Sequence, residues 1–139
     1  MLTTLNDQQI RELLEQTNTI AVVGLSPKPE RPSHYIARYL QEASYRVVPV
    51  RPAIKELLGE PVYPTINDIP FAIDLVNVFR ASQHVPEIVD QCIESGINAI
   101  WLQEGIIHNE AAERAHSAGI SIIMDKCIYK EMIRLGMNN

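Results

Sequence analysis

A short polar turn near the start of the chain has the residue types of an anion-binding site. Residues 20–23 (IAVV) form an apolar run, and residues 24–29 (GLSPKP) contain two prolines and cannot continue a regular strand or helix. Helical spacing of apolar residues resumes shortly afterwards. The free N–H groups and the dipole at a helix N-terminus bind anions, most often phosphate. Gly24, Ser26 and Pro27 are therefore candidates for a phosphate-binding turn, although any α/β domain has a similar first strand-to-helix turn.

An arginine follows the second predicted strand, where an NAD-selective dehydrogenase tends to place an acid. Arg51 comes directly after the apolar run 45–50. A guanidinium binds two phosphate oxygens at once, so it suits the phosphorylated ribose that coenzyme A and NADP both carry. A solvated loop arginine explains the spacing equally well. The preceding turn also lacks the G-x-G-x-x-G fingerprint of ordinary dinucleotide sites.

Two further predicted strands end in residues that could contact a ligand. Phe79 and Arg80 end the third strand, and Arg80 suits either a bound phosphate or a surface salt bridge. Gln103, Glu104 and Gly105 follow the fourth strand, where glycine permits close backbone approach and an amide could contact an amide-rich ligand arm. A plain strand-to-helix turn has the same pattern.

Candidates for catalysis and for metal binding are weak. The histidines are His34, His84, His108 and His116. None has a nearby serine, cysteine or acid in a recognisable nucleophile pattern, and histidine and cysteine lack metal-ligand spacing. Cys92 falls on an apolar helix stripe. Cys127 follows Lys126, and that cation or a helix N-terminus would lower the pKa of its thiol, but a buried core cysteine is the favoured interpretation.

Length, charge and cysteine count restrict the class of protein. A chain of 139 residues fits one domain, residues 1–139, with a sizeable core. The net charge of −5 argues against nucleic acid and anionic membrane surfaces as partners. Two cysteines do not make a disulfide framework, and neither a signal peptide nor an apolar run of membrane length is visible. These features indicate a cytoplasmic protein.

Apolar runs alternate with helical patterns along the whole chain. Strands are predicted at 20–23, 45–50, 74–79, 98–102 and 120–124. Asn6 with Gln9 predicts a capping box for an opening helix, and the other predicted caps are Ser33, Ser82 and Asn109. A short helical piece is expected at 55–58. Right-handed crossovers then predict an α/β fold, a Rossmann-like three-layer sandwich with a mostly parallel sheet of about five strands. Ligands bind such sheets beyond the carboxyl ends of the strands.

Several phrases of the sequence resemble a known family. They are GLSPKPERPSHYIARYL, YRVVPVRP, LLGEPVYPTINDIP, DLVNVFRASQHVPEIV, NAIWLQEGI and IIMDKC. Together they resemble the small bacterial and archaeal coenzyme A-binding proteins, which are similar to the N-terminal domain of the succinyl-coenzyme A synthetase alpha subunit. The resemblance runs across nearly the whole chain, and the combination of phrases is specific.

The resemblance implies that coenzyme A lies along the carboxyl edge of the sheet. Near the pyrophosphate it places Gly24, Ser26 and Pro27. Flanking the adenosine it places Val50, Arg51 and Pro52, with Phe79 and Arg80 on the opposite wall. Along the pantetheine arm it places Gln103, Glu104 and Gly105. Two positions depart from the family pattern: Arg51 stands where many relatives have asparagine, and Ser44 where glycine is commoner.

Three functions are compatible with these observations. The favoured one is a stand-alone, non-catalytic module whose small-molecule ligand is coenzyme A or an acyl-coenzyme A. The alternative is a small NADP-dependent oxidoreductase, which would need a substrate pocket and an acid or base, commonly supplied by a second domain or a lid. The third is a scaffold that retains only the fold.

Overall fold

The computed structural model describes residues 4–137 and confirms the predicted α/β architecture. The helices are Asp7–Gln16 (α1), Pro32–Glu42 (α2), Val85–Glu94 (α3), Asn109–Ser117 (α4) and Ile128–Arg134 (α5). The strands are Thr19–Val23 (β1), Arg46–Val50 (β2), Glu56–Leu57 (β3), Glu60–Pro61 (β4), Leu75–Val78 (β5), Ala99–Leu102 (β6) and Ser121–Ile123 (β7).

Five strands form one parallel sheet in the order β2-β1-β5-β6-β7. The chain moves outward from β1 to β2, then returns to pair β5 with the other side of β1. This reversal places the topological switch point between β1 and β5. Val23 at the end of β1 is in register with Val50 on one side and with Val78 on the other. The turns that follow these three strands therefore begin at the same level of the sheet.

Helices cover both faces of the sheet, which gives the predicted three layers. The strands are buried on both sides, so neighbouring residues of β1 enter different cores. Ile20 and Val22 pack in a cluster with residues of α1, α2 and α5, whereas Ala21 and Val23 pack in a second cluster with residues of α3 and α4. Near-continuous apolar runs are typical of such doubly covered strands.

A hairpin replaces the short helical piece expected at 55–58, so that prediction was wrong. The strands β3 and β4 pair antiparallel around Leu58 and Gly59, which have φ angles of 54° and 75°. Two consecutive residues with positive φ form the kind of tight turn that suits a two-residue hairpin. Gly59 favours this turn, because glycine adopts a positive φ without strain.

One of the four predicted helix caps is confirmed and three are wrong. Asn6 and Gln9 form the expected capping box, with hydrogen bonds of 2.9 and 2.8 Å. The two serines fail as caps because their hydroxyls hold neighbouring loops instead: Ser33 accepts from the N–H of Ser26, and Ser82 from the N–H of Ile107. These hydrogen bonds tie the edge of the sheet together.

Two other turns differ from simple expectation. His108, not Asn109, caps α4, since its Nδ1 accepts from the N–H of Ala111 at 3.1 Å. Ser44, where relatives commonly have glycine, lies at the turn that follows α2 and has a φ of 77°, so a serine occupies the left-handed region here.

Within residues 4–137, no helix is long and apolar enough to cross a membrane.

Candidate functional site

The turn between β1 and α2 is held in one shape by its own hydrogen bonds. The N–H of Gly24 donates to the carbonyl of Val50 at 3.0 Å, which joins the turn to the end of β2. Ser26 is fixed from three directions. Its N–H donates to Ser33 Oγ at 2.9 Å, its own Oγ accepts from the N–H of Lys28 at 3.1 Å, and its carbonyl accepts from His34 Nδ1 at 2.8 Å. The turn is therefore preorganised before any ligand binds.

Gly24 brings the turn close to the neighbouring strand. Its φ is 87°, and an added Cβ would lie 3.0 Å from Cδ of Arg80 and 3.1 Å from the carbonyl oxygen of Phe79. Both the backbone angle and the space therefore require glycine. The side chain of Arg80 therefore lies against this turn, and its contact with a phosphate stays a prediction.

A cavity of about 460 Å³ lies above this turn, and we call it the proximal cavity. Its walls are Gly24, Ser26, Pro27, Lys28, Arg31, Pro32, Ser33, Arg51 and Phe79. Three of these residues are cations and none is an acid. Pro32 and Ser33 form the first turn of α2, so the positive end of the helix dipole also faces the cavity.

The cations around the proximal cavity keep free donors for a ligand. Of the ion pairs formed within residues 4–137, none involves Lys28, Arg31, Arg51 or Arg80. Within the described part of the chain, Arg51 donates only two long hydrogen bonds, from Nε to the carbonyl of Pro52 at 3.2 Å and from Nη1 to that of Leu25 at 3.4 Å. In a protein of net charge −5, this local excess of positive charge attracts anions.

A second cavity of about 460 Å³ lies farther along the same edge, and we call it the distal cavity. Its walls are Pro32, Tyr35, Ile36, Phe79, Gln103, Glu104, Ile106, Cys127, Tyr129 and Lys130. Pro32 and Phe79 line both cavities, so the two form one continuous groove across the switch point. The distal cavity is mainly apolar and aromatic, in contrast to the cationic proximal cavity.

Gln103 is the most constrained polar residue of the distal cavity. Only 5% of it is exposed, and its Oε1 accepts from Nδ2 of the fully buried Asn77 at 3.0 Å and from the N–H of Ile128 at 3.1 Å. These two donors fix the orientation of the side-chain amide. Its Nε2 donates no hydrogen bond within residues 4–137, which leaves both of its N–H groups available at the cavity wall.

The outer wall of the distal cavity is tied by polar contacts. Lys130 Nζ lies 2.9 Å from Glu104 Oε1, and this pairing raises the pKa of Lys130 above its usual value. The N–H of Gly105 donates to Asp125 Oδ1 at 2.7 Å. The amide of Gly105, considered as a ligand contact from the sequence, is thus already used to join two loops.

Most residues singled out from the sequence lie on the groove, but not all of them. Those lining it are Gly24, Ser26, Pro27, Arg51, Phe79, Gln103 and Glu104. Arg80 touches Gly24 from the side, and Val50 lies buried beneath the turn with its carbonyl bound to Gly24. Pro52 and Gly105 are not among the lining residues.

Sequence reasoning missed several residues of the groove. In the proximal cavity they are Lys28, Arg31, Pro32 and Ser33, and in the distal cavity Tyr35, Ile36, Ile106, Tyr129 and Lys130. Lys28 and Arg31 had a usable signal, since Lys28 lies within the predicted phosphate turn and Arg31 lies two residues beyond it. Tyr129 and Lys130 had none, because they come from α5, far along the chain from Tyr35 and Phe79, which line the same cavity.

The chain matches a known family over most of its length. Residues 18–133 fit the model of a family described as CoA binding domain. The chain belongs to this family. It is 38% identical over 120 residues to the uncharacterized protein YneT of Bacillus subtilis, covering 86% of this chain and 89% of that protein.

Solved structures share the fold of this CoA-binding domain closely. A hypothetical protein from Pyrococcus horikoshii OT3 superposes with a TM-score of 0.91 at 38% identity, covering 97% of this chain and 99% of that one. The apo form of acetyl-coenzyme A synthetase 1 from Ca. Korarchaeum cryptofilum superposes with a TM-score of 0.71 at 27% identity, covering 80% of this chain but 27% of that one.

Larger ligases contain a related segment. Acetate–CoA ligase [ADP-forming] I of Archaeoglobus fulgidus is 26% identical over 137 residues, which covers 91% of this chain and 20% of the ligase. The CoA-binding domain therefore spans about a fifth of that ligase. The confirmed resemblance is to the domain and does not extend to the rest of the ligase.

Proposed function

We propose that this chain binds coenzyme A or an acyl-coenzyme A as a single, stand-alone domain that catalyses no reaction itself. The observation that carries the proposal is the two-part groove, whose cationic proximal cavity opens into the apolar distal cavity past Pro32 and Phe79. Coenzyme A has the same polarity, with phosphates at one end and a thiol-bearing arm at the other. Membership of the CoA-binding domain family supports this ligand.

The phosphates of the ligand are assigned to the proximal cavity. The pyrophosphate would meet the preorganised turn at Gly24 and Ser26, together with the N-terminus of α2. Arg51 lines the same cavity from the end of β2 and would bind the ribose phosphate with its free guanidinium donors. Lys28 and Arg31 supply further charge. The pantetheine arm would then pass Phe79 toward Gln103.

The proposal of a non-catalytic role is supported by the chemistry of the groove walls. The one carboxylate among them, that of Glu104, is paired with Lys130. His34 lies beneath the turn, 8% exposed, and its Nδ1 is used to bind the carbonyl of Ser26. Neither arrangement resembles an acid–base pair poised on a substrate. The location we propose, the cytoplasm, fits two cysteines that are both free and buried.

Calorimetric titration with coenzyme A, 3′-dephospho-coenzyme A and NADPH tests this function. We expect coenzyme A to bind about tenfold more tightly than the dephospho form, since a charged hydrogen bond contributes about 1.5–3 kcal/mol. The Arg51→Ala variant should narrow that difference while the affinity for the dephospho form stays nearly unchanged.

The other outcomes decide against the proposal in different ways. Binding of NADPH alone would indicate an oxidoreductase, and binding of none of the three compounds would indicate a scaffold. Equal losses for both forms of coenzyme A in Arg51→Ala would show that Arg51 does not bind the ribose phosphate.

A further inference from the structure

A free thiol lies in the distal cavity, at the other end of the groove from Lys28, Arg31 and Arg51. Cys127 lines the distal cavity, is 6% exposed, and occupies the N-cap position of α5. If the phosphates of coenzyme A occupy the proximal cavity, its arm passes Pro32 and Phe79 and its sulfur enters the cavity that Cys127 lines. The inference rests on the proposed function, because it requires the ligand to lie in this direction.

The side chain of Gln103 points independently to a ligand in the same cavity. Only 5% of Gln103 is exposed, and its Oε1 already accepts two hydrogen bonds. Its Nε2 donates none within residues 4–137. Because this nitrogen is not itself fully enclosed, its N–H groups are accessible from the distal cavity and are suited to a carbonyl of a bound arm. One of its fixing contacts is the N–H of Ile128, the residue next to Cys127. Donor and thiol are therefore held in a fixed relation.

The second cysteine has none of these features. Cys92 is completely buried in the cluster beneath α3 and lines neither cavity of the groove. Burial raises the pKa of its thiol to about 12, which keeps it protonated and unreactive at neutral pH. The chain thus carries its own control for thiol chemistry.

We propose that Cys127 is a site of reversible modification, at which the bound ligand becomes attached through a mixed disulfide. The oxidant is the symmetrical disulfide of coenzyme A. The thiolate of Cys127 attacks one sulfur of that disulfide, the sulfur–sulfur bond breaks, and a new bond joins Cys127 to one coenzyme A. The second coenzyme A leaves as a thiolate and takes up a proton equivalent to the one lost by Cys127. No net electrons are gained or lost.

Intact-mass spectrometry of the purified protein, incubated with coenzyme A disulfide or with glutathione disulfide, tests the proposal. We expect a mass increase of one coenzyme A less two hydrogen atoms, mapped to Cys127 by peptide digestion and reversed by dithiothreitol. The rate should exceed that with glutathione disulfide at least about tenfold, because binding in the groove delivers the reactive sulfur to the thiol. Arg51→Ala should remove much of that advantage.

Two variants and one parallel measurement make the outcome decisive. Cys127→Ser should abolish the adduct, and serine suits the N-cap position that Cys127 occupies. Cys92→Ser should leave the adduct in place. An adduct on Cys92, equal rates with both disulfides, or no adduct on a protein that binds reduced coenzyme A in the calorimeter would overturn this inference alone. Failure to bind reduced coenzyme A would overturn the proposed function with it.

Discussion

The two ends of the groove are built in different ways. The proximal cavity is shaped by one short turn, whose backbone is fixed by the hydrogen bonds from Gly24 to Val50 and from Ser26 to Ser33. The distal cavity is assembled from α2, β5, β6 and α5, and its key polar residue, Gln103, is held by two of those elements. One end therefore depends on local backbone conformation and charge, and the other on the packing of distant elements.

Gly24→Ala should have the largest effect, because the proximal end depends on backbone conformation. We expect a loss of about 3 kcal/mol in the free energy of unfolding, from the positive φ and from the approach of the new Cβ to Phe79 and Arg80. Coenzyme A binding should weaken as well, since the turn must move. Urea unfolding and calorimetry measure the two effects.

Gly96→Ala provides the matched control. Gly96 has a φ of 70°, but nothing lies within 4 Å of an added Cβ, and it follows α3 away from the groove. Only the backbone strain should appear, about 1 kcal/mol, with affinity unchanged. Equal destabilisation by both substitutions would show that the contact with Phe79 and Arg80 is unimportant.

Removing one positive charge from the proximal cavity should have the second largest effect, a loss of affinity for coenzyme A. Arg31→Gln is expected to weaken coenzyme A binding about tenfold, since a charged contact with phosphate is lost. Arg38→Gln, an equal change of charge on the exposed surface of α2 outside the cavity, should change affinity little. Titration at two salt concentrations adds a second criterion: the difference between the variants should shrink at high salt. Identical affinities in low salt would remove Arg31 from the site.

Truncation at the distal end should have a smaller effect and no salt dependence. Tyr35 lines the distal cavity and is 51% exposed, so Tyr35→Ala should leave stability nearly unchanged. We expect affinity for coenzyme A to fall about fivefold through the loss of apolar contact, roughly 1 kcal/mol. Ile133→Ala, which truncates another exposed apolar side chain, is the control. A loss that varies with salt as strongly as that of Arg31→Gln would contradict the division into two unlike ends.

The contrast between the two ends also explains what the sequence could predict. The five strands of the parallel sheet were predictable because parallel strands covered on both faces are nearly continuous apolar runs. The hairpin at β3 and β4 was not, since its strands have two residues each and no period to detect. The wrong caps, Ser33 and Ser82, have suitable residue types, but tertiary hydrogen bonds use their hydroxyls elsewhere.

The candidate site divides in the same way. Gly24, Ser26 and Pro27 were found because strand, turn and helix follow one another within a single stretch. Tyr129 and Lys130 belong to the distal wall only because β7 and α5 bring the end of the chain back to the switch point. No spacing rule relates them to Gln103, so their place in the groove required the fold.

Acid should slightly lower the free energy of unfolding, because it disrupts the ion pair that ties α5 to α1. Two hydrogen bonds join Arg134 to Asp7, and they lower the pKa of Asp7 below its usual value of 3.8. The pair therefore stabilises the fold fully above that value and loses its contribution as the pH falls through the lower pKa of the folded state. Urea unfolding of the wild type and of Asp7→Asn should show a small difference at neutral pH that vanishes in strong acid. Because both side chains are exposed to solvent, high salt should reduce the difference too. A difference that grew in acid would mean that Asp7 acts in some way other than by pairing with Arg134.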